Sequence, residues 1–332
     1  MNERHVSILG TGKYLPQTCV TSEEMDARLG VKPGWTLKKT NVAKRYFAGE
    51  ETASRMGAKA AAAALEAAGL SFRDIDCLVC TSGTSEQPIP CTAALIQYEM
   101  GHGRSGTPAF DINSTCLSFV AGLDVVSYMI EAGRYRNVLL VSSEISSAGL
   151  NWDQKESAAL FGDGAVAVVV GRAAEGGTSR IVHAAMETYA DGARLSEIRG
   201  GGSRLHALKQ ADASAGDYLF DMDGPAIFRM TSKLMPPFVE RFMAAAGTRL
   251  QDMKLIVPHQ GSAMAVRLLS RKLGIADEQL MSITAEHGNT IAASIPMGLH
   301  EAIAQKRIRR GDRVLLLGTS AGLSLGGMIL DY

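Results

Sequence analysis

The sequence has little of what several classes of protein require. Its 332 residues carry 34 Lys and Arg and 34 Asp and Glu, so the cationic surplus that nucleic-acid binding needs is missing. No run approaches the ~18 apolar residues of a membrane-spanning helix, and the N-terminal MNERHVSILGTG lacks the apolar stretch of a signal peptide. Five cysteines are too few for a disulfide scaffold in so long a chain. With 46% apolar residues, the chain is expected to be a globular cytoplasmic protein, and an enzyme is the first hypothesis.

What the sequence does have is an alternation of short β-type runs with alanine-rich helical runs, the pattern of an α/β fold with parallel strands. Strands are predicted at Val6–Leu9, Cys77–Cys80, Val138–Val141, Ala165–Val170, Leu255–Val257, Val314–Leu317 and Met328–Leu330. Helices are predicted near Thr52–Ala68, Thr92–Glu99, Cys116–Ala132, Phe228–Ala246, Ala263–Leu273 and Ile295–Gln305.

The chain also repeats itself. Ala67–Val79 can be laid on Ala245–Val257 at an offset of 178, and Ser118–Val141 on Ser294–Leu317 at an offset of 176. Chance similarity between alanine-rich segments is the alternative, but the order of the elements agrees as well. Two nearly equal offsets therefore predict a duplicated α/β unit.

The boundary between the two halves is predicted within Ala173–Ser179, which gives halves 1–175 and 176–332. No linker of proline and serine separates them, so we expect them to pack as one body. The segment Asp191–Asp217 contains three consecutive glycines and breaks the periodicity, and it is predicted to be a long surface insertion.

Cys116 is the thiol with a functional context. It follows the strand-like Pro108–Ile112 and opens an amphipathic helix, where the helix dipole and free N–H groups are expected to lower a thiol pKa and to bind an oxyanion. Cys77 and Cys80 form a C-x-x-C motif, but inside a strand rather than at a helix start, so they are predicted to be packing thiols on opposite faces. Cys19 and Cys91 are treated as structural.

His259 and Asn289 are the expected partners of this cysteine. His259 ends a predicted strand, and Asn289 lies in a glycine-containing turn before the helix that repeats the Cys116 helix. Because Cys116 maps onto Ala292 in the repeat, the duplication brings all three residues to one end of the molecule. His287 lies in the same turn as Asn289, whereas the other histidines have no such placement. No residue cluster has metal-ligand spacing, so no metal is predicted.

The order Cys-His-Asn fits two interpretations. A papain-like protease uses a thiolate–imidazolium pair oriented by an amide, but it is expected to carry disulfides and a tryptophan beside the cysteine. The other interpretation is acyl-thioester chemistry on a duplicated α/β fold, and this one fits the sequence.

The motifs together resemble the β-ketoacyl-ACP synthase III group of condensing enzymes in the thiolase superfamily, over essentially the whole chain. They are Ile8–Pro16, Phe110-Asp111-Ile112-(x)3-Cys116, Leu160–Ala165, Val257–Gln260, His287–Pro296 and Gly318–Gly322. The resemblance implies a thiolase-like α/β fold, with two duplicated halves in a layered αβαβα body.

The resemblance also implies a reaction and its residues. Cys116 would attack an acyl-CoA and hold the acyl group as a thioester, with the backbone N–H groups of Cys116 and Ala321 as the oxyanion hole. His259 and Asn289 would then donate hydrogen bonds to the carbonyl of a malonyl thioester, whose decarboxylation yields the carbanion that attacks the acyl group. Neutral His259 suits this role, so a lowered pKa is expected. CoA is a substrate here, and no permanently bound cofactor is implied.

Substrate and partner contacts are implied less completely. Trp35 matches the tryptophan that stacks on the adenine of CoA, Lys155 stands where an arginine covers its other face, and Phe228 is assigned to the same CoA site. The resemblance implies a homodimer that docks an acyl carrier protein through basic residues, but Met264 replaces one of the expected arginines. The basic residues that remain are Arg229, Arg267, Arg271 and Lys272.

Ile89 matches a position usually filled by an aromatic residue reaching across the dimer interface, so the hypothesis is an acyl chain longer than acetyl. Three alternatives stay open. The chain could be a diverted member that acylates a hydroxyl or amine, or a head-to-head condensing enzyme, for which Glu86 lies in the right loop but several residues early. It could also be a non-catalytic partner subunit, which would usually have lost the nucleophile or its partners.

Overall fold

The computed structural model describes residues 3–206 and 214–332. Its strands are β1 Val6–Tyr14, β2 Thr18–Thr21, β3 Lys44–Phe47, β4 Cys77–Cys80, β5 Ala109–Asp111, β6 Asn137–Glu144, β7 Gly164–Arg172, β8 Arg180–Thr188, β9 Ser196–Glu197, β10 Asp221–Met222, β11 Leu255–Pro258, β12 Arg313–Ser320 and β13 Ser324–Asp331. Its helices are α1 Ser22–Leu29, α2 Trp35–Thr40, α3 Ala53–Ala68, α4 Thr92–Glu99, α5 Ser118–Glu131, α6 Lys155–Ala158, α7 Gly224–Ala246, α8 Ala263–Leu273, α9 Thr284–His287 and α10 Ser294–Ala304.

Two sheets carry the architecture, and four strands follow the same order in both, with β5 as a fifth strand in one of them. The N-sheet has the order β1-β7-β6-β4-β5, in which β4 runs parallel to β5 and β6 while β7 runs antiparallel to β6 and β1. The C-sheet has the order β8-β13-β12-β11, in which β11 and β12 are parallel and the other pairs antiparallel. Strands β4 and β6 therefore correspond to β11 and β12, as the internal repeat predicts.

The layers follow from which faces are apolar. One buried core joins the inner faces of both sheets to α5 and α10, which lie between them. A second core packs α3 and α4 on the outer face of the N-sheet, and a third packs α7 and α8 on the outer face of the C-sheet. The body is thus αβαβα, as the resemblance implies.

The glycine-rich start of β1 has a packing role. A Cβ atom at Gly10 would lie 2.5 Å from the Ala64 carbonyl oxygen, and one at Gly12 would lie 2.3 Å from the Ala64 nitrogen. Only glycine allows β1 to approach the α3 backbone this closely, and the alanine-rich face of α3 serves the same close contact.

The predicted helix Cys116–Ala132 differs from the structure at its start. Thr115–Leu117 form a separate 3₁₀ turn, here called the cysteine turn, and α5 begins at Ser118. Ile291–Ala293 form the corresponding alanine turn before α10. Thr115 has φ 47° and Ile291 has φ 50°, a left-handed conformation that is strained for β-branched residues.

The predicted insertion Asp191–Asp217 lies partly outside the described residues, since 207–213 belong to the undescribed part. Strand β9 of the insertion pairs antiparallel with β10, which follows it, and Arg199 forms ion pairs with Asp217 and Asp221. Within residues 3–206 and 214–332, no helix is long and apolar enough to cross a membrane.

Candidate active site

The cysteine turn and the alanine turn pack against each other at the ends of the parallel strands. A Cβ atom at Gly83, just after β4, would lie 2.8 Å from Ile291 Cγ2 and 3.2 Å from the Thr115 carbonyl carbon. The two turns therefore meet over this glycine, and nothing larger fits between them. This contact brings the Cys116 and Asn289 segments together.

The histidine reaches the same place through the end of β12. A Cβ atom at Gly318 would lie 2.9 Å from His259 Cβ and 3.1 Å from Leu117 Cδ2. His259 and the residue after Cys116 thus flank one glycine. The Ser320 hydroxyl donates to the Ser114 carbonyl oxygen at 2.7 Å, which ties the end of β12 to the cysteine turn.

The Cys116 thiol is half-buried beside an apolar cluster that also contacts Trp35 and Phe220. The backbone N–H groups of Ala321 and of Cys116 itself face the sulfur, as the oxyanion-hole assignment requires. Burial nevertheless raises the thiol pKa to about 12, and the nearby Glu144 carboxylate adds to the rise. The lowered thiol pKa expected from the sequence is therefore wrong, because desolvation outweighs two N–H donors.

His259 is held in a single orientation. Its Nδ1 lies 2.6 Å from Ser294 Oγ, and Ser294 Oγ also accepts the Gln260 N–H at 3.4 Å. Nδ1 is the only acceptor within reach of the Ser294 hydroxyl hydrogen among the described residues, so we assign that hydrogen to Nδ1 and the imidazole proton to Nε2. Burial lowers the pKa of His259 to about 4, as the sequence analysis expects for a neutral imidazole.

Asn289 is buried and its amide is oriented by its own turn. Its backbone N–H donates to the Leu160 carbonyl, and its Oδ1 accepts the Ile291 N–H at 2.9 Å. With the oxygen occupied, the two Nδ2 hydrogens remain for a ligand. Nε2 of His259 and Nδ2 of Asn289 are therefore both donors.

Trp35 opens α2 and is half-buried against the apolar cluster that Cys116 also contacts. The cation at its ring is Lys39, whose Nζ lies 6.0 Å from the ring centroid and 2.8 Å from Glu156. Lys155 begins the neighbouring α6 and is exposed. Sequence reasoning missed Lys39, although its spacing of four residues from Trp35 on one helix places both on one face.

A cavity of about 90 Å³ opens beside His259 between α7 and α8. Its walls are mostly aliphatic, and Phe228 lines it together with Thr231, whose buried Oγ1 has no partner among the described residues. Next to the cavity, Pro236 removes the N–H that would bond the Ser232 carbonyl, and Lys272 Nζ donates to that oxygen instead at 2.7 Å.

The other predicted docking residues are Arg229, Arg267 and Arg271, all of which are exposed. Ile89 is 84% exposed and lies outside the site of its own chain. Glu86 accepts the Ser54 N–H at 2.7 Å at the start of α3, a structural contact. Cys77 and Cys80 are buried in different cores on opposite faces of β4, as predicted.

Two further residues were missed because their role depends on tertiary contacts. Ser294 orients His259 from a position 35 residues later in the chain. Gln260 is fully buried, and its amide bonds to Pro258, Met281, Ile283 and Thr284, which fixes the segment leading to Asn289. The family motif contains both residues, but no spacing rule marks their partners.

Comparison with known proteins gives a consistent result. Residues 110–190 match the family model described as 3-oxoacyl-[acyl-carrier-protein (ACP)] synthase III, and residues 243–332 match the model of its C-terminal part. The chain is 32% identical over 325 residues to the Beta-ketoacyl-[acyl-carrier-protein] synthase III of Aquifex aeolicus, covering 98% of this chain and 99% of the relative. It is 31% identical to that of Neisseria meningitidis, covering 99% and 100%.

Solved structures agree with the sequence matches. The chain is similar to a crystal structure of 3-oxoacyl-[acyl-carrier-protein] synthase III from Aquifex aeolicus, with a TM-score of 0.88, 30% identity and full coverage of both chains. It is also similar to that of Pseudomonas aeruginosa, with a TM-score of 0.89 and 30% identity over 99% of this chain and 98% of the other.

Proposed function

The chain belongs to the β-ketoacyl-[acyl-carrier-protein] synthase III family, whose members are condensing enzymes of the acyltransferase class, and we propose that Cys116, His259 and Asn289 are its catalytic residues. The proposed reaction joins an acyl-CoA primer to a malonyl thioester, most simply malonyl-ACP, in fatty acid or related biosynthesis. The convergence of a thiol with two N–H donors, a neutral imidazole and an oriented amide carries this proposal.

In the first step, the Cys116 sulfur attacks the acyl-CoA carbonyl. The backbone N–H groups of Ala321 and Cys116 stabilise the tetrahedral oxyanion, CoA leaves, and the thiol proton ends on the departing CoA thiol. The high thiol pKa means that little thiolate exists before the substrate arrives.

In the second step, His259 Nε2 and Asn289 Nδ2 donate to the thioester carbonyl of the malonyl group. These donors stabilise the enolate that forms as CO₂ leaves, and the carbanion attacks the acyl carbonyl on Cys116. The new carbon–carbon bond replaces the thioester bond, and the released sulfur takes up one proton from solvent. A neutral His259 donates a hydrogen bond without carrying a charge, so it stabilises the enolate and keeps its proton.

The cavity between α7 and α8 suits the arm of a CoA or carrier thioester. Such an arm combines apolar segments with amide groups, and the cavity combines aliphatic walls with the unpartnered hydroxyl of Thr231 and with Ser262. Its contact with His259 supports delivery of the second thioester from this side. For the adenine, Trp35 and Phe228 are the proposed contacts, with Lys39 a better placed cation than Lys155.

Docking of an acyl carrier protein is proposed on α7 and α8. Arg229, Arg267 and Arg271 would meet an acidic partner, beside the exposed apolar side chains of Met264 and Leu268. Lys272 contributes less to docking, because its ammonium group bonds the Ser232 carbonyl.

A homodimer is proposed through the free edge of the N-sheet. Strand β5 is the last strand of that sheet, and the exposed Ile89 lies in the loop before α4, which packs on β5. Ile89 would then border the partner's acyl pocket and favour acyl chains longer than acetyl. Steady-state rates with acetyl-CoA and longer acyl-CoAs test this, and strict acetyl preference contradicts it.

The two halves 1–175 and 176–332 are proposed as the duplicated units, supported by the matching order of the two sheets. A cytoplasmic location is proposed because an enzyme that works through a free thiol suits a reducing compartment.

The test of the proposed function is a two-stage mass measurement. The protein is incubated with acyl-CoA, the Cys116 peptide is examined for the acyl adduct, and a malonyl thioester is then added. We expect adduct formation, then its loss with release of CO₂ and a β-ketoacyl product. Absence of the adduct contradicts the proposal, and an acyl ester or amide formed without CO₂ indicates a diverted acyltransferase.

A further inference from the structure

Glu144 is a buried carboxylate that the proposed mechanism does not use. It is the last residue of β6, and its side chain is fully buried. The carboxylate accepts the Gly83 N–H at 2.5 Å, the Thr84 N–H at 3.1 Å and the Thr84 hydroxyl at 2.5 Å. The backbone N–H of Ala292 also faces the carboxylate, as a weaker contact than these three hydrogen bonds, and the alanine turn packs against β6. Placing a carboxylate in the core without such donors would cost several kcal/mol, so the site is built around it.

The contacts of Glu144 cross from one half of the molecule to the other, since its carboxylate faces Ala292 and binds Gly83, which packs against Ile291. Ala292 lies in the alanine turn, whose backbone also carries Asn289, and the Ile291 N–H in between fixes the Asn289 oxygen. Strand β6 of the N-sheet therefore holds the turn of the C-terminal half.

A contact in the opposite direction, from the C-terminal half to the N-terminal half, exists as well. Ser320 ends β12 and corresponds to Glu144 at the repeat offset of 176. Its hydroxyl bonds the Ser114 carbonyl at 2.7 Å, so β12 of the C-sheet holds the cysteine turn of the N-terminal half. Each strand end thus secures the catalytic turn of the other half.

We propose that Glu144 is a positioning residue of the condensation step, whose carboxylate holds the alanine turn, and through it the Asn289 amide, in register with the Cys116 thiol. It is not the base for the thiol, because both of its oxygens already accept hydrogen bonds from Gly83 and Thr84. This inference deepens the proposed function and rests on it for the condensation readout.

The carboxylate of Glu144 also has an electrostatic effect on Cys116, which distinguishes its role experimentally. Glu144 is the charged group whose field acts on Cys116 and raises its pKa, while His259 on the other side is neutral. On β4, burial raises the pKa of Cys80, and the carboxylates of Asp111 and Glu144 add to the rise. Burial also raises the pKa of Glu144, to about 7, against the effect of its donors. Removing the charge should therefore make Cys116 more acidic while condensation becomes slower.

The experiment compares Glu144→Gln, which removes the charge at nearly constant size, with Glu144→Asp, which keeps the charge and shortens the reach. Both should slow condensation by about 10²-fold, the size expected for a misplaced catalytic group, with acylation changed far less. Only Glu144→Gln should speed iodoacetamide alkylation of the Cys116 peptide at pH 8, by about tenfold. The control is Asp76→Asn, since Asp76 accepts the Arg136 and Asn137 N–H groups at the opposite end of β6. It should change neither readout.

Wild-type condensation in Glu144→Gln overturns the inference, and so does slower or unchanged alkylation. If Glu144→Gln does not fold, Glu144→Asp decides: it must lose condensation and keep the wild-type alkylation profile. If the wild-type protein forms no β-ketoacyl product, the proposed function fails, but the alkylation of the two variants still tests the electrostatic contact of Glu144 with the thiol.

Discussion

The two halves of the molecule use the same scaffold for different chemical tasks. Each has a 3₁₀ turn that begins with a strained β-branched residue of positive φ, followed by a serine that opens a central helix, Ser118 in one half and Ser294 in the other. The residue after the strained position is Cys116 in the first half and Ala292 in the second. After the parallel strand, the first half has small hydroxyl residues and the second has His259. One half therefore supplies the nucleophile and the other supplies hydrogen-bond donors, which shows how duplication separates two roles.

The most direct test of this comparison is to make the cysteine turn and the alanine turn alike. Cys116→Ala places alanine after both strained residues and removes the nucleophile without filling space. We expect acyl-enzyme formation and condensation to fall by more than about 10⁴-fold. Intact mass after acyl-CoA treatment measures this. An adduct that persists in the variant would place the nucleophile elsewhere.

Asn289→Ala tests whether the second half serves only the second step. Loss of one donor to the enolate should slow condensation by about 10²- to 10³-fold. Acylation should stay within a few-fold of the wild type, because the oxyanion groups of the first step belong to Ala321 and Cys116. Rapid-quench acylation and steady-state condensation rates separate the two, and an equal loss in both would contradict this division of labour.

The two halves should also differ in their response to pH. With a thiol pKa of about 12, alkylation of Cys116 should keep rising beyond pH 9, by about tenfold per pH unit. An ordinary thiol would level off above pH ~8.5. His259 is protonated at about pH 4 in the native state and near pH ~6.5 when unfolded, so its contribution to the unfolding free energy is lost as the pH falls through that window. A plateau in alkylation near pH 7 would show that the thiol is activated in the free enzyme.

The two serines that open the central helices, Ser294 and Ser118, are expected to affect different steps of the reaction, with smaller changes in rate. Ser294→Ala removes the hydroxyl on His259 Nδ1, and condensation should fall about tenfold, as for the loss of ~1.4 kcal/mol of orienting interaction. Ser118→Ala removes the hydroxyl that bonds Thr115 and Ser82, so acylation should be the step affected. Measuring both steps in both variants tests the contrast, and the same pattern in the two would refute it.

The smallest expected effect concerns backbone strain. Thr115→Gly relieves the left-handed conformation of a half-buried residue, and a net gain of about 1 kcal/mol in unfolding free energy is expected after the entropy cost of glycine. Denaturant unfolding measures it. Val125→Gly is the matched control on the exposed face of α5, where glycine replaces a helical residue without relieving strain, and it should destabilise. A loss of stability in Thr115→Gly would mean that its side-chain contacts outweigh the strain.

Much of the fold could be predicted from the sequence because the relevant signals are local. The alternation of strands and helices and the two repeat offsets correspond to two sheets that share the order of four strands. Strand β4 and helices α4 and α8 have the predicted bounds. The start of the Cys116 helix was misjudged, since the positive φ of Thr115 is imposed by the packing of two turns rather than by its own propensity.

The candidate site, like the fold, has features that the sequence predicts and features that only the tertiary structure determines. The sequence by itself determined which chemical groups are available, namely a thiol, an imidazole and an amide at the ends of repeated elements, because the repeat and the family motifs are written in residue order. The tertiary structure decided their properties. The high pKa of Cys116, the proton on His259 Nε2 and the cross-half contacts of Glu144 and Ser320 arise from burial and from partners far away in the chain. Desolvation and hydrogen-bond geometry depend on everything that surrounds an atom, and only the folded chain defines those surroundings.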